Sequence, residues 1–110
     1  MSRPRVFITQ DEDRFDFSGL DAYGQRITIF TRSTYPDEVD QRTKWMVDRV
    51  RSVFGRRPYD PRYDHIAIVG DMLGVAVVFM VLGSMGLTNV TVLKYDGKEK
   101  AYYPATIQLI

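Results

Sequence analysis

A chain of 110 residues, 45% apolar and 26% charged, has the length and composition of one globular α/β domain spanning 1–110. Its formal net charge of +1 gives no global pull toward nucleic acid or an anionic membrane, so binding of that kind needs a local patch. The chain has no cysteine, which excludes disulfides, thiolate nucleophiles and thiolate metal sites, and its single histidine, His65, excludes any site needing two from one chain.

The first predicted strand is the short, β-branched run Arg5-Val6-Phe7-Ile8-Thr9-Gln10. No apolar segment of signal-peptide length precedes it, and together with the absence of cysteine this sets the expectation of a cytoplasmic protein. An acidic stretch, Asp11-Glu12-Asp13, opens a long loop punctuated by Gly19 and Gly24, with one helical turn expected at 18–23. A second strand follows at 26–31. Thr34, Pro36, Asp37 and Glu38 then form a helix start signal. Apolar residues at Val39, Met46, Val47, Val50, Val53 and Phe54 mark one buried helical face, and Gly55 with Arg56-Arg57 suits the helix end.

After a stiff connector containing Pro58, Tyr59, Pro61 and Tyr63, residues 65–69 read as a third strand covered on both faces. Asp71 is placed to cap a second helix at 72–85. The fourth strand is expected at 89–95, Asp96-Gly97 is a hairpin signal, and the fifth strand runs over 100–109, with Pro104 favouring an edge. The order β-β-α-β-α-β-β predicts a small Rossmann-like mixed sheet in which strands 2, 3 and 4 are parallel neighbours and the C-terminal hairpin is antiparallel.

Residues 66–87 are long enough to span a bilayer and carry one charge, Asp71. Gly70-Asp71 splits the run into a strand and a helix, and the surrounding elements complete a water-soluble fold, so no membrane association is expected. The helix at 72–85 has no charged residue on any side, whereas a surface helix normally carries a polar face. With half of it outside the sheet, roughly 400–600 Å² of apolar surface would meet water, on the order of 10 kcal/mol of burial before association costs. A second copy of the chain is the simplest cover. Val75, Val78, Phe79 and Leu82 are the candidate dimer contacts; burial by the first helix and the long loop is the alternative.

Ligands of open α/β sheets gather at the carboxyl ends of the parallel strands. A small nucleotide-like ligand, bound or hydrolysed there, would meet Arg32, Ser33 and Thr34 after strand 2 and Gly70 and Asp71 after strand 3. Acidic residues at both helix starts oppose a phosphate, and neither GxGxxG nor a Walker-type loop is present, so no cofactor is expected. Asp11, Asp13 and Asp71 form a weaker candidate for Mg²⁺, and three acids near one loop read more simply as a solvated turn, so no metal is expected. His65 lies at the opposite end of its strand and reads as structural. Arg49, Arg51, Arg56, Arg57 and Arg62, with Tyr59 and Tyr63, form a candidate grip for single-stranded nucleic acid; a solvated helix end is the simpler reading.

Three stretches, Phe17-Ser18-Gly19-Leu20 through Tyr23-Gly24, Asp64 through Gly70, and Leu93-Lys94-Tyr95-Asp96 followed by Tyr102-Tyr103, give the chain a resemblance. It resembles small uncharacterised α/β proteins encoded by bacteriophages. That resemblance implies a viral origin and action inside a bacterial host, and transfers no catalytic residue. The expectation is a non-enzymatic homodimeric accessory protein, with a host protein as a further possible partner and nucleotide or nucleic-acid binding as alternatives.

Overall fold

The computed structural model describes residues 4–11, 16–31, 36 and 38–109. Among them, five strands are β1 Arg5–Gln10, β2 Gln25–Phe30, β3 His65–Ala67, β4 Asn89–Asp96 and β5 Ala101–Gln108. A 3-10 turn, Ser18–Ala22, joins β1 to β2; helix α1, Val39–Arg56, joins β2 to β3; and helix α2, Met72–Ser84, joins β3 to β4. The strands form one mixed sheet in the order β2-β1-β3-β4-β5, parallel except for the antiparallel β4–β5 hairpin. The expected α/β class and C-terminal hairpin are both present.

The expected adjacency of strands 2 and 3 is corrected: β1 lies between them. The cause is visible in β1 itself. Val6, Phe7, Ile8 and Thr9 are all buried, so both faces of the strand need cover, and only an interior position supplies it. β2 begins with exposed Gln25 and Arg26 and takes the edge. At the other edge, nearly all of β5 is exposed, and Pro104 sits in it where a missing N–H is tolerated.

Alternation along the strands divides the core in two. Phe7, Ile66, Val90 and Val92 face the helices and pack with Met46, Val50 and Phe54 of α1 and with Val77, Val78, Val81 and Leu82 of α2. Val6, Ile8, Ala67 and Leu93 face the other way, under Leu20 of the 3-10 turn, with Phe17, Tyr23 and Tyr102 at the margin.

Several boundaries differ from the sequence reading by one or two residues. β3 stops at Ala67 because the Thr9 hydroxyl takes over the backbone of Val69, accepting from its N–H at 2.8 Å and donating to its carbonyl. α1 continues through Gly55 to Arg56. The hairpin turns one residue later than the expected spans, over 97–100 in place of 96–99. The Asp96 carboxylate accepts the Lys98 N–H at 2.9 Å, Asp96 pairs with Ala101, and the left-handed residue of the four-residue loop is Lys100, at φ 53°.

Candidate functional site

All four parallel strands end on the same side of the sheet. The chain leaves β1 for β2 in one direction and crosses back to β3 and β4 in the other, so the order reverses between β1 and β3. A crevice at such a reversal is where open α/β sheets hold ligands. Here the protein's own side chains fill it. Gln10 is 5% exposed, and its Oε1 accepts the Asp71 N–H at 2.8 Å. Gly70, at φ 84°, lies so close that a Cβ there would fall 2.5 Å from Gln10 Oε1 and 2.7 Å from its Cβ.

Of the ligand residues expected from sequence, Gly70 therefore lies against the plug, and the Asp71 N–H at the start of α2 is already engaged. Asp71 caps α2, its carboxylate accepting the Leu73 N–H at 2.8 Å. Arg32, Ser33 and Thr34 lie outside the described residues, as does Asp13 of the weighed metal site. Among the described residues no group of three or more metal-ligating side chains converges.

Beside the plug, toward β4, the carboxyl edge opens into a cavity of about 550 Å³ lined by Asp16, Ile68, Val69, Gly70, Lys94, Tyr95 and Tyr102. The β4–β5 register sets Tyr95 opposite Tyr102, and their rings meet edge to face with centroids 5.2 Å apart. Burial raises the Tyr102 phenol above its ordinary range, reinforced by Tyr95 and the Asp16 charge. Asp16 accepts the Ser18 N–H at 2.9 Å, and its bonding to Ser18 lowers its carboxyl below the usual value. The sequence reading missed this group. Its signal is the hairpin register, which a connection over 96–99 would have set differently, with Tyr95 opposite Lys100.

Of the arginine-tyrosine constellation, Arg57, Tyr59 and Arg62 come together at the opposite edge, in an open cavity of about 840 Å³ lined by Arg5, Gln25, Ile27 and residues 57–62. Tyr59 is buried, donating its hydroxyl to the Asp64 carbonyl at 2.8 Å and accepting the Thr91 N–H at 3.0 Å, so it has no face free for stacking. Arg62 is held by both oxygens of Asp60 and lies over the Tyr63 ring. Arg49 donates to the Ile29 carbonyl at 2.9 Å. Arg51, Arg56 and Arg57 are exposed. His65 is half-buried edge-on to Tyr23, and burial, opposed by Asp64, holds its imidazole below the ordinary pKa.

The structure separates the four dimer contacts expected on α2. Val78 and Leu82 are fully buried against the sheet and α1, while Val75 and Phe79 are half-buried. A helix apolar all round gives no hydropathy cue to its buried side; the packing chooses it. The solvent face carries Met72, Leu73, Ala76 and Met80 instead, with Met72 84% and Met80 57% exposed. No helix among the described residues is long and apolar enough to cross a membrane.

No curated protein and no solved structure matches the chain significantly. One family model does, over residues 4–109, nearly the whole length and all of the elements described above. The chain belongs to the family of Phage Pam3 gp32-like proteins.

Proposed function

We propose that this phage protein is a non-enzymatic accessory factor that works as a homodimer in the host cytoplasm, with the outer face of α2 at the centre of the contact. One observation carries the reading. No charge occurs between Asp71 and Lys94, yet Met72, Leu73, Ala76 and Met80 lie on the solvent side of the helix. Met72, Ala76 and Met80 are four residues apart and form one stripe. Unbranched methionines adapt to a facing surface, and Ala76 between them permits close approach.

A second copy fits this stripe better than a charged partner, because a two-fold axis sets the same uncharged surface against itself. A stable interface takes on the order of 800 Å² per partner, more than one face of a 13-residue helix supplies. The remainder is at hand on β5. Ile107 and Tyr103 pair with Val90 and Lys94, point to the helix side of the sheet, and are exposed.

Sedimentation velocity at micromolar concentration tests the proposal. The expected species has twice the 12.7 kDa chain mass, and Met80→Glu returns it to a folded monomer. A wild-type monomer at that concentration overturns it.

A further inference from the structure

We propose that a row of arginines along α1 docks the phosphate backbone of a nucleic-acid duplex. This site is separate from the pairing surface on α2. The chain is polarised in charge. Residues 41–57 hold six of its fifteen cationic side chains, Arg42, Lys44, Arg49, Arg51, Arg56 and Arg57, against one of its fourteen acids, Asp48, so the rest of the chain is net negative. Spacing orders these cations further. Arg42, Arg49 and Arg56 recur every seven residues, close to two full turns, so they stand in one row at intervals of about 10.5 Å. Arg49 donates to the Ile29 carbonyl, which fixes the row over the outer edge strand β2. Arg57 prolongs it past the helix and lines the open cavity with Gln25, at the start of the same strand. Asp48 stands about 100° away round the helix.

The helix dipole does not account for this row. Its pull on a cation falls off within the last turn, so it reaches Arg56 but not Arg49 or Arg42. Length and residue type select the partner. Four arginines spread over roughly 20 Å exceed a mononucleotide or a lone phosphate and suit a rigid polyanion, and a duplex offers one charge per about 1.7 Å of its axis. Arginine rather than lysine is the cation that grips phosphate with paired N–H groups, and the bond to Ile29 takes one of the five on Arg49. Stacked single strands fit less well, since Tyr59 is buried, the Arg62 guanidinium lies over the Tyr63 ring, and Trp45 is half-buried against Phe30. An anionic membrane also fits less well, because among the described residues α1 carries no exposed large apolar side chain to enter the lipid.

The test is fluorescence anisotropy of a labelled mixed-sequence DNA duplex of about 20 base pairs, titrated with the protein at about 50 and about 200 mM salt. Binding is expected at micromolar protein and the lower salt, weakened about a hundredfold at the higher, as four phosphate contacts would give. Arg49→Glu and Arg56→Glu should each weaken it by about tenfold or more. Lys98→Glu, the same change of charge at an exposed position of the β4–β5 loop, should leave it within about twofold of the wild type. Urea midpoints show whether a variant is folded, and Arg56→Glu carries the test if Arg49→Glu, which loses the Ile29 bond, does not fold. The proposal is overturned if the duplex does not bind at micromolar protein and the lower salt, or if Lys98→Glu weakens it as much as Arg56→Glu does. It is equally overturned if single-stranded DNA, polyglutamate or phosphatidylserine vesicles bind as tightly as the duplex.

Discussion

Asp64 and Arg5 are joined twice: the Asp64 carboxylate accepts the Arg5 backbone N–H and its guanidinium, each at 3.0 Å. The same carboxylate accepts the Asp60 N–H at 2.9 Å, and the Arg5 guanidinium continues to the Pro58 carbonyl. One side chain, 2% exposed, thereby fastens the connector after α1 to the first residue of β1. Removing one partner of a buried charge pair strands the other and leaves its donors unpaired. Asp64→Ala is expected to lower stability by about 3 kcal/mol, read as a lower urea midpoint at unchanged slope. Asp64→Asn, which keeps an acceptor, should fall between that and the wild type.

The relation between Gly70 and Gln10 gives a second prediction. Gly70→Ala meets two separate penalties, a left-handed φ of 84° and a collision with the Gln10 side chain. Together they should cost about 2 kcal/mol or more. Truncating Gln10 to Gly relieves the collision, which involves its Cβ as well as its amide, but not the φ strain. A double-mutant cycle over these two positions should therefore show favourable coupling of roughly 1 kcal/mol. Strict additivity would mean that Gln10 moves aside freely and does not plug the crevice.

What was legible in the sequence follows from what each signal measures. Apolar runs and capping residues act locally, so the strands, both helices and the Asp71 cap could be read directly. Strand order is non-local; the clue to it was that Val6 through Thr9 suits burial on both faces, as residues 65–69 do. The buried side of α2 was hidden because no polar residue marks its outside, and the choice of Val78 and Leu82 over Met72 and Met80 falls to contacts with α1 and the sheet. The tyrosine cavity depends on hairpin register. A connection over 96–99, as the expected spans give, would pair Tyr95 with Lys100, whereas the observed loop pairs it with Tyr102.

That loop is itself open to improvement. Lys100 holds a left-handed φ of 53°, where a side chain costs about 1–2 kcal/mol relative to glycine. The residue is exposed and no ion pair holds it among the described residues. Part of the gain from glycine is offset by its greater freedom in the unfolded chain. Lys100→Gly should stabilise the protein by about 1 kcal/mol, raising the thermal midpoint by about 5 °C in calorimetry. No change would mean that the loop relaxes out of this conformation in solution.

His65 supplies the pH dependence. Burial, the larger effect, lowers its pKa from the ordinary 6.5, and the neighbouring Asp64 opposes the shift. The unfolded chain therefore binds the proton more readily than the fold does, so stability is fully present above pH 6.5 and declines as pH falls through that value toward the folded pKa. Burial outweighs both effects that favour the imidazolium, the Asp64 charge and the Tyr63 backbone. Urea midpoints for the wild type should fall between neutral and mildly acidic pH, above the range in which carboxylates titrate. His65→Phe should flatten that interval, and a slope unchanged by the substitution would assign it to other groups.

The two sides of α2 should respond oppositely to substitution. Val78 is fully buried among sheet and α1 side chains, so Val78→Ala creates a cavity and should cost about 2 kcal/mol of folding stability. Because Val78 does not reach the solvent face, the oligomeric mass should stay as in the wild type once the variant has folded. Met80 is largely solvent-facing, so Met80→Glu removes little intrachain packing and instead sets two like charges close together across a two-fold contact. Its effect should be loss of dimer mass, together with a thermal midpoint that no longer rises with protein concentration. Measuring both variants by sedimentation and by urea titration separates folding from pairing. If Met80→Glu leaves the mass and the concentration dependence unchanged, the stripe is not the contact, whatever happens at Val78.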